Sequence, residues 1–239
     1  MERLLKNKKF DDIDENLKFI EEKIAYCAQK SGRKYEDIKL MAVTKTVDPV
    51  FVNHAIEKGV KLIGENKVQE LLLKKDSLME SEVHLIGHLQ TNKVRSVINH
   101  VNMIQSVDSV KIAQEISRQA VKYNLSMDVL VEVNIGREES KHGFFYDETL
   151  EAIDQIRAMN AIKVKGLMAI PPANCDEIKN RHYLSGMYKL FIDIKSKKLD
   201  NVSIDILSMG MSDDFHTAIL EGSNLVRIGS ALFGARNYN

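Results

Sequence analysis

Apolar positions follow two rhythms along the chain. From Ile13 through Leu17, Ile20 and Ile24 they recur at helical spacing, and Gly32 ends the stretch, which predicts an N-terminal helix over about 12–31. After it the apolar residues gather into short runs near 38–43, 60–63, 83–86, 103–107, 127–133, 164–170, 202–207 and 225–228. Runs of that length without polar alternation read as buried strands. Between them lie helix-length stretches at about 48–58, 66–75, 91–100, 108–123, 147–159, 179–197 and 213–222. The first of these is well punctuated: Asp48 can cap it, Pro49 suits the first helical position and Gly59 ends it. Eight strands alternating with helices in 239 residues predict an α/β fold, a (β/α)8 TIM barrel. The same alternation also allows an open, doubly wound sheet. No Pro/Gly/Ser-rich linker, low-complexity tract or internal repeat divides the chain, so residues 1–239 read as one domain with the barrel over about 38–236.

Composition narrows the possible partners. The chain carries 34 basic and 34 acidic residues, and with no basic excess to release counterions it is not expected to bind nucleic acid. Its longest apolar runs are strand-sized, too short to span a membrane. The first nine residues, Met1 to Lys9, hold no apolar core of a secretory signal. The two cysteines, Cys27 and Cys175, have no CxxC spacing, which argues for a reducing, cytoplasmic setting. No His, Cys or Glu cluster shows metal-ligand spacing, so no metal is expected.

The candidate chemistry sits at the strand ends. Lys45 closes the first run, where a basic side chain is either a solvated strand-end charge or an amine able to form a Schiff base. The segments 207–214 and 226–234 each follow a strand with glycine and hydroxyl residues. Glycine lets backbone N–H groups approach an oxyanion, and serine adds a hydroxyl donor. A lysine, a phosphate cup and Arg227 together suggest pyridoxal phosphate. In a barrel all strand C-termini share one rim, so Lys45, Asn66, His88, Asp108, Asn134, Ser212, Arg227, Gly229 and Ser230 converge on one pocket.

Several runs carry a resemblance. Ala42-Val43-Thr44-Lys45-Thr46, Gly64-Glu65-Asn66-Lys67-Val68-Gln69-Glu70, His84 through Lys93, Asn134 through Gly143, Gly166-Leu167-Met168-Ala169-Ile170, Ser208 through Asp214 and Val226-Arg227-Ile228-Gly229 closely resemble the pyridoxal phosphate homeostasis proteins. The resemblance runs in order from about Asp12 to Tyr238 and implies a single barrel similar to the N-terminal domain of alanine racemase, the type III fold of pyridoxal phosphate proteins. It places Lys45 on the Schiff-base lysine and Ser212, Gly229 and Ser230 on the phosphate-binding positions. Arg227 falls on the residue that faces the pyridine nitrogen, where a guanidinium leaves that nitrogen unprotonated and the ring a weaker electron sink. Lys141 lies in the stretch resembling the racemase segment that touches the phenolic oxygen. Tyr183-Leu184 and the loop 171–175 depart from the family pattern without touching the site.

Residues themselves leave some roles open. Ser212 either helps form the cup or caps a helix beginning at Asp213; Asn66 either bonds the cofactor or caps one beginning at Lys67. Lys141 can be a solvated loop charge, Arg227 a barrel-end salt bridge, and His88 a structural histidine or a proton relay. Met168, Met209 and Met211 are expected to line the pocket or the core. The function implied is storage or delivery of pyridoxal phosphate to apo-enzymes, by a monomer with no catalytic residues and no efficient turnover. The alternatives are a small pyridoxal phosphate-dependent racemase, which needs a second base that related racemases take from an additional domain, and a cofactor-free barrel using Lys45 as an aldolase-type base.

Overall fold

The computed structural model describes residues 2–173 and 175–235. The barrel end placed near 236, the resemblance as far as Tyr238, and Asn174 of the 171–175 loop lie outside the described residues. A long helix, α1 (Glu2–Lys30), leads into eight strand–helix pairs: β1 (Lys39–Val43) and α2 (Pro49–Glu57), β2 (Leu62–Glu65) and α3 (Val68–Lys74), β3 (Glu82–Leu85) and α4 (Thr91–Val97), β4 (Met103–Val107) and α5 (Val110–Lys122). There follow β5 (Met127–Val133) and α6 (Thr149–Arg157), β6 (Ile162–Ala169) and α7 (Glu177–Ser196), β7 (Val202–Ser208) and α8 (Phe215–Leu220), β8 (Leu225–Ile228) and α9 (Ser230–Phe233). The strands are parallel and pair in chain order, and β8 returns to β1 to close the barrel. Closure excludes the open doubly wound sheet. Among the described residues no helix is long and apolar enough to cross a membrane.

Strand runs and helices fall close to where the apolar pattern puts them, and the differences have local causes. The cap at α2 is as expected, with Asp48 accepting from Val50 N at 2.9 Å. α1 starts ten residues earlier than the apolar spacing indicates, at Glu2 rather than near Asp12. Its polar first turns carry Phe10, which packs on Phe51 and His54 of α2 with centroids 5.3 and 4.5 Å apart, so contact with a neighbouring helix extends it. α3 begins at Val68 with Lys67 in the cap position, and α8 begins at Phe215 with Asp214 there. Neither Asn66 nor Ser212 therefore caps the helix that follows it in the chain.

Outer strand faces and the helices share two large apolar clusters, one running round β3 to β7 and one joining α1, α2, α8 and α9 to β1, β2 and β8. The barrel interior is different. Its apolar filling is two small groups, Met41, Val43, Leu62, Ile86 and Leu225, and Met103, Leu130 and Met168. Fully buried polar residues, His84, Gln105 and Ser208, share that interior with Arg227. Strands β6 and β7 touch where Gly166 sits: at φ +152, its missing side chain lets Ile206 approach, since a Cβ there would lie 1.8 Å from the Ile206 carbonyl oxygen.

Candidate functional site

The C-terminal rim of the barrel holds a cavity of about 200 Å³ lined by Val43, Lys45, Asn66, Ile86, Ile170, Met211, Ser212, Asp213, Arg227, Gly229 and Ser230. Of the seven residues expected to bind a cofactor, six thus meet around one space. Lys141 does not line it. Its ammonium donates to the Pro171 carbonyl at 3.0 Å and pairs with Glu138 at 2.6 Å, at the wall of an adjoining cavity of about 560 Å³. The two cavities share Ile170, Met211 and Asp213. Met168 and Met209 are core residues, whereas Met211 lines both spaces.

Lys45 is half-buried and leaves β1 between two anchored neighbours. The Thr44 hydroxyl donates to the Glu65 carboxylate, and Lys74 reaches both Glu65 Oε1 at 2.5 Å and the Thr44 carbonyl at 2.7 Å. On the other side Thr46, at φ 61, donates its backbone N–H to Glu70, which also pairs with Lys74 at 3.0 Å. Glu65 is fully buried; burial pushes its carboxyl up, and Lys74 opposes the shift. This ring of charges holds the backbone that carries Lys45, and reading the sequence does not reveal it. Lys74 looks like a surface residue at a helix end, and only the packing of α3 against β2 turns it inward.

The opposite wall is built by the loops after β7 and β8. Ser212 Oγ accepts from Gly229 N at 3.2 Å and Ala231 N at 3.1 Å, tying one loop to the other and leaving its own proton free to donate. Ser230 is exposed at the same wall, and its hydroxyl makes no hydrogen bond among the described residues. Asn66 Oδ1 is buried there without a hydrogen-bond partner among the described residues. A buried acceptor left unpaired costs free energy, and a polar ligand with a donor would relieve it.

Arg227 forms the floor. It is 3% exposed and donates from Nη1 to Ser208 Oγ at 2.7 Å and from Nη2 to the Ala169 carbonyl at 2.9 Å. Among the described residues it pairs with no carboxylate, so it is not a barrel-end salt bridge. Burial lowers its pKa to about 10, which still leaves it charged at neutral pH. Because arginine only donates, it sets the direction of a chain across the barrel interior. Ser208 passes its proton to Gln105 Oε1 at 2.7 Å, and Gln105 Nε2 then donates to His84 Nδ1 at 2.8 Å. His84 is left with its proton on Nε2, facing Glu82 at 2.8 Å. Four strands contribute to this chain, and the bonds of Arg227 to Ser208 and Ala169 fix the orientation of the guanidinium while leaving it further N–H groups to donate.

Glu132 on β5 lies within the field of this floor. Burial first, then the negative charge of Asp108, raise its pKa to about 7, while Arg227 opposes them. The folded pKa lies above the usual 4.5, so the stabilisation is fully present below pH 4.5 and is lost as pH rises through 7, a change on the order of 3 kcal/mol. Glu132→Gln is therefore expected to raise the melting temperature more at pH 8 than at pH 5. Parallel melting profiles of parent and variant across that range would show that Glu132 is not protonated in the fold.

A further group stands beside the pocket. His88, Asp108 and His142 bring one ligand atom each within 4.8 Å of one another, although the sequence spacing shows no metal-ligand pattern.

The family described as alanine racemase, N-terminal domain, matches residues 16–237. The chain is similar to a pyridoxal phosphate homeostasis protein of Aquifex aeolicus, 39% identical over 226 residues that cover 94% of this chain and 98% of that one. Among solved structures it is similar to an unknown protein from Bifidobacterium adolescentis, with a TM-score of 0.90 and 34% identity over 94% of this chain and 96% of that chain. It is also similar to PipY of Synechococcus elongatus with PLP bound, with a TM-score of 0.77 and 26% identity over 88% of this chain and 100% of that chain.

Proposed function

The chain belongs to the alanine racemase N-terminal domain family, among the pyridoxal phosphate homeostasis proteins, and from that premise we propose that it binds pyridoxal 5'-phosphate on Lys45 as a Schiff base and stores or hands on the cofactor without efficient turnover. The observation that carries this reading is the meeting of Lys45, the Ser212–Gly229–Ser230 wall and the buried Arg227 around one cavity. The residues fit such a group: the hydroxyls of Ser212 and Ser230 suit a phosphate, and the Lys45 amine and the Arg227 guanidinium line the same space.

When bound, the cofactor supplies an aldehyde that condenses with an amine and a ring that can take up negative charge. The protein's part is to place and to polarise. Lys45 offers the amine from backbone held by Glu65 and Lys74. Ser212 and Ser230 donate hydroxyl protons to the phosphate, and Gly229, whose N–H is held by Ser212 Oγ, joins the two loops that carry them. Arg227 keeps its own proton at neutral pH and donates a hydrogen bond toward the ring nitrogen without protonating it. That contact would leave the ring a weaker electron sink than a carboxylate partner would. Lys141 stands at the adjoining cavity, within the same rim, where it serves the cofactor's exposed edge.

Two measurements test the assignments. Ser212→Ala and Ser230→Ala should each weaken binding of the phosphorylated cofactor by about 1–2 kcal/mol through loss of a charge-assisted hydrogen bond. Pyridoxal without phosphate should bind variants and parent alike. Parental affinity of both variants for the phosphorylated form would move the phosphate away from these loops. For the function, L- and D-amino acids are incubated with the loaded protein while transfer of cofactor to an apo-enzyme is followed. Transfer with no more than trace racemisation, transamination or decarboxylation is expected. Turnover at an ordinary enzymatic rate, about 1–1000 per second, would replace the carrier reading with the racemase-like one. A colourless protein that takes up no cofactor would favour the aldolase-type base.

A further inference from the structure

Three consecutive strands end in potential metal ligands: His88 follows β3, Asp108 follows β4, and His142 lies in the loop after β5. The barrel order places those ends side by side, so residues 20 and 34 positions apart become neighbours. His88 Nδ1 lies 2.6 Å from Asp108 Oδ2, and His142 Nδ1 lies 3.7 Å from the same oxygen. The two imidazole rings stack, with centroids 3.7 Å apart and planes 9° from parallel. None of the three lines the Lys45 cavity. We propose that His88, Asp108 and His142 form a binding site for a divalent transition-metal cation of the zinc class at the barrel rim.

The chemistry of the set selects the cation. Two imidazole nitrogens and one carboxylate oxygen suit zinc and its first-row neighbours, leaving a fourth position for water. Calcium and magnesium prefer all-oxygen sites and are not served here. The side chains divide the work between anchoring and access. The Asp108 side chain is only 7% exposed and so is held in place, while those of His88 and His142 are 42% and 55% exposed and free to turn toward an incoming ion. On binding, the Nδ1 proton of a neutral His88 passes to water and water returns one to Nε2, so the ring stays neutral as the other tautomer and its Nδ1 lone pair meets the cation. The rings splay apart as both nitrogens turn to the ion. His142 directly follows Lys141, so an ion here would fasten the loop carrying Lys141 to the ends of β3 and β4 beside the cofactor cavity.

The test uses the full-length, untagged protein and the metal alone. Co²⁺ is titrated while its visible absorption and the heat of binding are recorded, and Zn²⁺ is then added as competitor. One equivalent of Co²⁺ should bind with the intense visible bands of a low-coordinate nitrogen–oxygen site, and Zn²⁺ should displace it. His88→Gln and His142→Gln should each weaken binding by at least about tenfold. Both histidines are exposed, so these variants keep the fold even where Asp108→Asn does not. His182→Gln, at an exposed position on α7, should bind as the parent does. Absence of saturable binding would overturn the site, as would parental affinity in His88→Gln and His142→Gln, or loss of binding in His182→Gln.

Discussion

Lys45→Ala is expected to abolish the stable long-wavelength absorption of the loaded protein, leaving only weak binding held by the phosphate. The expectation follows from the position of this lysine. It is half-buried at the mouth of the cavity, and the backbone on either side of it is tied to Glu65, Glu70 and Lys74. An amine so placed lines the same cavity as Ser212 and Ser230, and among the described residues no other lysine lines that space. Borohydride reduction of the loaded parent, followed by peptide mapping, should place the adduct on Lys45. An adduct found only on Lys141 or on a surface lysine would refute the assignment. A far-UV circular-dichroism spectrum of cofactor-free Lys45→Ala matching that of the parent would separate loss of the amine from loss of the fold.

Gly166→Ala is expected to be the most damaging glycine-to-alanine substitution among the described residues, at a cost of at least about 4 kcal/mol. The added Cβ would lie 1.8 Å from the Ile206 carbonyl oxygen and 2.7 Å from its carbon, so two paired strands would have to separate. Rigid backbone cannot yield as a flexible side chain can, and the whole margin of a domain is about 5–15 kcal/mol. Gly32→Ala gives the comparison. It also has positive φ, +71, but nothing lies within 4 Å of its Cβ, so only the backbone preference opposes it, about 1–2 kcal/mol. Thermal unfolding of the two variants separates the effects. Equal losses would mean that backbone conformation, and not the close approach to Ile206, sets the requirement for glycine at 166.

Much of the architecture is legible in the chain itself, because a strand covered on both faces must be apolar along its length. Runs such as Met127 to Val133 and Leu225 to Ile228 mark strands for that reason, and their alternation with helices leads to a barrel. The barrel in turn makes strand ends into neighbours, so Lys45, Asn66, Ser212, Arg227, Gly229 and Ser230 can be assembled around one cavity from sequence order alone. Choices among hydrogen-bond partners were not legible. Asn66 and Ser212 each precede a helix and look like caps, yet the helices start later, leaving Asn66 Oδ1 unpartnered and turning Ser212 to the loop after β8. Lys141 lies in a matching stretch but borders the adjoining cavity, because Pro171 and Glu138 hold its ammonium there.

Sequence by itself determined the strand and helix order, the single barrel and the residues at its rim, since these follow from local periodicity and from the closure of parallel strands. Only the tertiary structure decided what those residues touch. The path from Arg227 through Ser208, Gln105 and His84 to Glu82 draws on four strands spread over 146 positions from 82 to 227, and the histidines and aspartate on the rim come from three separate loops. Contacts of that kind depend on distances between backbones far apart in the chain, and no local pattern of apolar and polar residues encodes such distances.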